Sequence, residues 1–435
     1  MLVRRLHLPG PRRVGLACVP ASLGIGHFWT AYIADADDIW HQYRAVLLYP
    51  ADALIVLTSL AWLVALVAGN RTMSRASLVP LGVGALSIAA ALSAMTALDD
   101  VIAFAYAAHL AVLALFAVAA SDLVATGRAG LLWKVLALTV IVQSGLAAWQ
   151  AVTQSTAPVG VLFNGWSREF SADDSVAVVA VLPGVDRWLR AYGSFPHPNI
   201  LGIFLSIALV MLSLRAEPSR LVRVAQLAGV IGLSLTFSRS AWLALSLAMV
   251  SWVVTARAWR DIPGWIGRQL RTQRALVVLV AIGLVLSGAR ATQLNAFPEA
   301  NSLSQRQIYD DAAWTLVAQG RPVGAGNILI AEQRERIAVG EPAHNVLLIT
   351  LAELGPLGVL AWLVLLATIV ATAWRRADPG ARGAFVALVV LVPLLFLDHY
   401  LWTQPPGRIW LVLALAVIPA AGRLNVSGGP RHFTT

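Results

Sequence analysis

Arg239 stands between two apolar runs, in Leu235-Thr236-Phe237-Ser238-Arg239-Ser240-Ala241-Trp242. An ionised side chain inside apolar sequence is costly and marks function by default. A guanidinium never loses its charge and grips phosphate through two parallel N–H donors. Arg239 therefore reads as an anion ligand at the mouth of a cavity, or as a hairpin residue reaching the headgroups. Arg190 opens a second polar stretch, Arg190-Ala191-Tyr192-Gly193-Ser194-Phe195-Pro196-His197-Pro198-Asn199. Its glycine and prolines make an irregular helix entry, which Asn199 can cap, leaving backbone donors facing outward. His197, flanked by prolines, reads as a fold-fixing residue more readily than as a catalyst.

His344 and Asn345 follow Glu341-Pro342-Ala343 and open another apolar run. A neutral imidazole can take a proton from an attacking hydroxyl, and the positive end of the next helix helps keep the ring neutral. The other reading makes His344 an interfacial anchor. Glu353 lies nine residues on, which at about 100° per residue puts it on the opposite helix face. It is expected to make an internal ion pair and not to orient His344. Arg306, in Ser304-Gln305-Arg306-Gln307-Ile308-Tyr309, reads on its own as a solvated charge. No nucleotide-binding motif and no HExxH occurs. The pairs Asp37-Asp38, Asp99-Asp100, Asp173-Asp174 and Asp310-Asp311 read as solvated loop acids, so no metal and no cofactor is assigned. The single cysteine, Cys18, excludes an intrachain disulfide.

The elements that must hold these residues are membrane helices. The chain has 435 residues, 58% hydrophobic and 12% charged, about half the charge of a soluble domain. Roughly 20 apolar residues cross the hydrocarbon, and lipid forces each crossing into a helix. Twelve spans are expected, near 14–33, 46–68, 78–97, 101–120, 133–153, 197–214, 222–238, 240–257, 275–290, 344–373, 384–400 and 408–422. With the N-terminus inside, the inner segments hold most of the 32 Lys and Arg. Of the 22 acids they hold only Asp122, Glu217, Asp261 and Asp378. The net charge of +10 is thus a topology signal and not a nucleic-acid footprint. The first apolar run continues into the multi-span pattern, so no removable signal peptide is expected. Neither an internal repeat nor a separate soluble domain is visible. The outer segment 154–196 contains an apolar piece, Val176–Leu182, that is too short to span. The outer segment 291–343 carries helical pattern over about 305–319, with Ser304 as cap and Gly320 as stop, and again around 328–338.

Four stretches in order resemble the O-antigen ligase and O-antigen polymerase superfamily: Arg190–Asn199, Thr236-Phe237-Ser238-Arg239, Arg306…Pro322-x-Gly324-x-Gly326, and His344-Asn345 leading to Glu353-Leu354-Gly355. The resemblance implies an all-α, glycosyltransferase C-type-like membrane protein of about twelve helices with a helical periplasmic cap. It lies in the bacterial inner membrane with both termini cytoplasmic. It also implies metal-independent glycosyl transfer on the outer face, from undecaprenyl pyrophosphate to an acceptor hydroxyl. By motif, His344 becomes the base and Arg190, Arg239 and Arg306 the pyrophosphate ligands, with Asn199, Asn345 and Glu353 at the substrate site. Lipid A core is the first acceptor; a growing glycan or a protein is the alternative within the superfamily. A lipid-linked glycan flippase is the alternative of another class, but such transporters carry repeats and midplane broken helices, and the polar groups here gather at one face. His399-Tyr400-Leu401-Trp402 is prominent but receives no chemistry from this reading.

Overall fold

A computed structural model describes residues 10–36, 39–69, 78–157, 171–174, 178–182, 185–214, 219–258, 300–337, 340–374 and 379–421. The chain is mostly helical there. The helices are α1 (Pro11–Ser22), α2 (Pro50–Val67), α3 (Val79–Ser93), α4 (Asp100–Ala125), α5 (Gly130–Thr153), α6 (Pro198–Ser213), α7 (Arg220–Thr236) and α8 (Arg239–Ala258). They continue with α9 (Ala300–Ala318), α10 (Ile328–Arg334), α11 (Val346–Leu354), α12 (Pro356–Trp374), α13 (Pro379–Leu397), α14 (Tyr400–Thr403) and α15 (Pro405–Ala421). Four are long and apolar enough to cross a membrane, over Pro50–Val67, Val79–Thr96, Asp100–Ala125 and Gly130–Thr153. Shorter apolar segments add Pro198–Ser213, Pro356–Ala371, Phe385–Leu397 and Pro405–Ala420. The expected span at 275–290 lies outside the described residues.

Several expectations are corrected. The first span, read at 14–33, is the short helix α1 followed by strand β1 (Trp29–Ile33). Gly24 and Gly26 interrupt the apolar run, and the chain turns into a hairpin with β2 (Ala45–Leu48). The apolar piece Val176–Leu182 contributes strand β3 (Val179–Leu182), paired antiparallel with β4 (Val185–Leu189). The span read at 344–373 is two helices, because Gly355 at φ 66° cannot continue α11 and Pro356 starts α12. Helix α9 begins at Ala300, so Ser304 lies inside it and is not its cap; Gly320, at φ 70°, does stop it. A tight turn does join α7 and α8: Phe237 adopts a left-handed conformation (φ 51°) there, and the two helices then pack on α6 and not along each other.

The packing brings the starts of α2, α4, α6, α11 and α15 to one end of the bundle. Asp99 caps α4 by accepting from the Ile102 N–H at 2.9 Å. It also accepts from the hydroxyl of Tyr32 on β1 at 2.7 Å, so it is not a solvated acid. The turn after α9 is wedged against this corner. Leu98 N–H donates to Val323 O at 3.1 Å, and Gly324 N–H donates to Glu353 O at 3.0 Å. Gly324 sits at φ 94°, and a Cβ there would meet the Ala97 Cα at 2.7 Å, so only glycine lets the turn approach. Helix N-termini carry partial positive charge, and several of these starts line the cavity beneath the β1–β2 hairpin.

Candidate active site

That cavity has a volume of about 390 Å³. Phe28, Trp40 and Tyr43 from the hairpin region cover it, and His197, Asn199, Glu341, His344, Asp398 and His399 supply its polar wall. Pro342 and the cap of α11 set the position of His344. Asn345 accepts from Leu347 N–H (3.0 Å) and Leu348 N–H (3.2 Å), which fixes the first turn. The His344 backbone N–H is held by the Asp310 carboxylate on α9. Asp310 therefore ties α9 to the site and is not merely solvated. The His344 ring stacks on Tyr309, with centroids 5.9 Å apart and planes 13° apart. It meets His399 edge-on at 5.0 Å, and its Nε2 lies 3.8 Å from Glu341 Oε2.

Burial holds the His344 pKa below its ordinary value; Asp398 opposes that shift and Arg306 adds to it. Burial also lowers His399 to about 4 and, with the Arg190 charge, His197 to about 3. All three rings are therefore neutral near pH 7. Asp398 is 5% exposed and accepts from the Tyr400 N–H at 3.0 Å. It supplies negative charge beside the His344 and His399 rings.

The structure distributes the expected residues unevenly. Arg190 reaches this corner but is engaged by the protein: Nε donates to Thr236 O at 2.8 Å, and Nη2 donates to Asn199 Oδ1 at 2.6 Å. It thus clamps the start of α6 to the α7–α8 turn. His197, not Asn199, caps α6, its Nδ1 accepting from the Asn199 N–H at 3.1 Å. With Pro198 at the first helical position, the cap falls two residues earlier than expected, at His197. His197 thus fixes the start of α6 and also lines the cavity. Arg306 is half-buried on α9, and its charge acts on His344, His399 and Glu341. Arg239 is exposed at the start of α8, on the same turn that Arg190 grips, and does not line the cavity. Asn345 spends its side-chain oxygen on capping.

Glu353 is corrected most clearly. It is 1% exposed and accepts from Trp402 Nε1 at 2.9 Å and from the Gly326 and Ile328 backbone N–H groups. Neutral donors thus take the place of the expected ion pair. It lines a second cavity of about 100 Å³ with Asp52, Tyr106, His109 and Arg408. There Arg408 Nε donates to His109 Nδ1 at 3.0 Å, and His109 Nε2 lies 2.9 Å from Asp52 Oδ1. The Arg408 guanidinium sits 3.8 Å from the Tyr106 ring centroid.

Sequence reasoning missed Glu341, Tyr309 and Asp398 as neighbours of His344. Asp398 adjoins the flagged His399, but His344 lies more than 50 residues before it along the chain. Glu341, His344 and His399 also bring one ligand atom each to within 4.8 Å of one another. The sequence assigned no metal, and nothing in its spacing predicts this convergence.

No curated protein matches the chain. A family model does: residues 224–363 match the one described as O-antigen ligase. The matched span contains Arg239, Arg306, His344, Asn345 and Glu353, while Arg190, Asp398 and His399 lie outside it. About a third of the chain is thus similar to the O-antigen ligase family, and the chain carries helices long and apolar enough to cross a membrane.

Proposed function

We propose that the chain is an O-antigen ligase-like glycosyltransferase that moves a glycan from undecaprenyl pyrophosphate to a hydroxyl of lipid A core. The observation that carries this reading is a neutral imidazole, His344, on the wall of a cavity ringed by helix starts. The acceptor O–H gives its proton to His344 as its oxygen bonds to the anomeric carbon of the donor. The bond from that carbon to the pyrophosphate oxygen breaks, and the lipid pyrophosphate leaves with the electron pair. Negative charge grows on that leaving group, so fixed positive charge must face it. Arg306 supplies it beside His344, Arg239 at the start of α8, and Arg190 in the segment before α6. Asn345 and Asp310 fix His344, and the bond to Asn199 fixes Arg190, before substrate arrives.

The test is transfer by purified protein given a defined undecaprenyl-pyrophosphate glycan and several acceptors, lipid A core among them. Product on lipid A core is expected; product only on a second lipid-linked glycan would replace this reading with a polymerase. Arginine supplies the charge without a metal, so the rate in excess chelator should equal or exceed the rate without it. Loss of activity in chelator, restored by magnesium or manganese, would overturn that mechanism.

The site should lie on the periplasmic face of the inner membrane, with both termini in the cytoplasm. Single cysteines placed in 300–337, in a Cys18→Ala background, should react with an impermeant thiol reagent in intact spheroplasts. Protection across that segment, with labelling at the α4–α5 turn around Arg128 instead, would invert the topology.

A further inference from the structure

We propose that Glu341, His344 and His399 form an inhibitory binding site for a zinc-class divalent cation. One ligand atom from each lies within 4.8 Å of the other two, on the wall of the 390 Å³ cavity. Two imidazoles and one carboxylate, with a fourth position open, form the donor set that borderline divalent metals take in open tetrahedral sites. Bonds of about 2.0–2.1 Å place tetrahedral donors roughly 3.3 Å apart, so the three groups must close by about an ångström. Glu341 can make most of that movement. Its side chain is 51% exposed, and it lies in the loop before α11.

The hydrogen bonds around His399 prepare it as a ligand. Thr403 Oγ1 donates its proton to the His399 carbonyl at 3.1 Å. The same oxygen lies 2.8 Å from His399 Nδ1 and must accept there. Nδ1 therefore carries the ring hydrogen and Nε2 keeps its lone pair, the arrangement by which a hydrogen bond behind a metal-ligating histidine fixes its tautomer. Charge around the site is mixed. Asp398 adds a negative charge behind the two rings, and Arg306 opposes a cation from α9. The acids outnumber the base, and Glu341 opens toward solvent, which gives an ion its route in.

A cation held here occupies the His344 ring, which then cannot take a proton from an acceptor. Inhibition of transfer rests on the function proposed above, but metal binding does not. The two are therefore measured separately. Cobalt(II), as a spectroscopic stand-in for zinc, is titrated into the purified full chain in detergent, and zinc binding is followed by calorimetry. One ion per chain is expected, with the visible absorption of tetrahedral cobalt. Glu341→Gln, a change at a half-exposed position, and His399→Ala should each weaken binding at least about tenfold. In the transfer assay, zinc should inhibit and chelator should reverse it. Absence of a tetrahedral cobalt spectrum, or zinc binding unchanged in both variants, overturns the site, since the other six histidines would then hold the ion. Stoichiometric binding without any transfer activity leaves the metal site standing and removes the transferase reading.

Discussion

The His344→Ala variant is expected to transfer glycan about 10²–10⁴-fold more slowly than wild type at saturating donor and acceptor, the usual contribution of a positioned general base. The fold should survive the change. Asn345, not His344, caps α11, and the bond from the position-344 backbone N–H to Asp310 needs no side chain. The ring is partly open to the cavity and packs mainly on Tyr309 and His399. Donor lipid should therefore still bind, because the arginines remain, and the loss should appear in kcat. Single-turnover kinetics with prebound donor make the check. Wild-type turnover in His344→Ala would reduce the residue to an anchor at the head of its helix.

The residues around His344 also show what the sequence can and cannot disclose. Apolar runs located α2 to α8 closely, because a span is a property of a contiguous segment. Gly320 ended its helix as read, since a left-handed stop is local. The break at Gly355 was invisible to hydropathy: both halves are apolar, and only the φ of 66° separates them. Side chains that meet through tertiary packing were hidden more thoroughly. His344 was legible as a candidate from its place before an apolar run. That Tyr309, Asp398 and His399 surround it follows from α9 and the α13–α14 corner converging on α11, which no spacing encodes. Asn199 and Asn345 were legible as polar groups at helix starts, but which atom serves as cap depended on Pro198 and on the loop path. Glu353 faces a different cavity from His344, although the helical angle used to separate them does not apply, since His344 lies before α11. In place of a direct ion pair, an indole and two backbone donors satisfy the Glu353 carboxyl group, and the buried Arg408 across the same cavity acts on it only at a distance.

Arg190→Ala should produce the second large loss, about 10²-fold or more in kcat/KM, through position as much as charge. Removing it leaves Thr236 O and Asn199 Oδ1 without the donors that now reach them at 2.8 and 2.6 Å. A hydrogen bond to a charged group contributes roughly 1.5–3 kcal/mol, less where it is only part-buried as here, and its loss also releases the α7–α8 turn that carries Arg239. Arg190→Lys should fail to restore the rate. An ammonium is a point donor, whereas the guanidinium spans a carbonyl on one segment and an amide on another with a rigid fork. Arg239→Ala is expected to differ in kind. Arg239 is exposed, so its loss should weaken donor binding while leaving the thermal midpoint unchanged, and Arg239→Lys should restore binding in part by supplying charge without the fork. Donor affinity, thermal stability and transfer rate measured together on the four variants separate the two roles. If Arg190→Lys matches wild type in rate and stability, the clamp is not what Arg190 contributes. If Arg239→Ala binds donor as tightly as wild type, the pyrophosphate is held elsewhere, and Arg306 beside His344 becomes the cation to test.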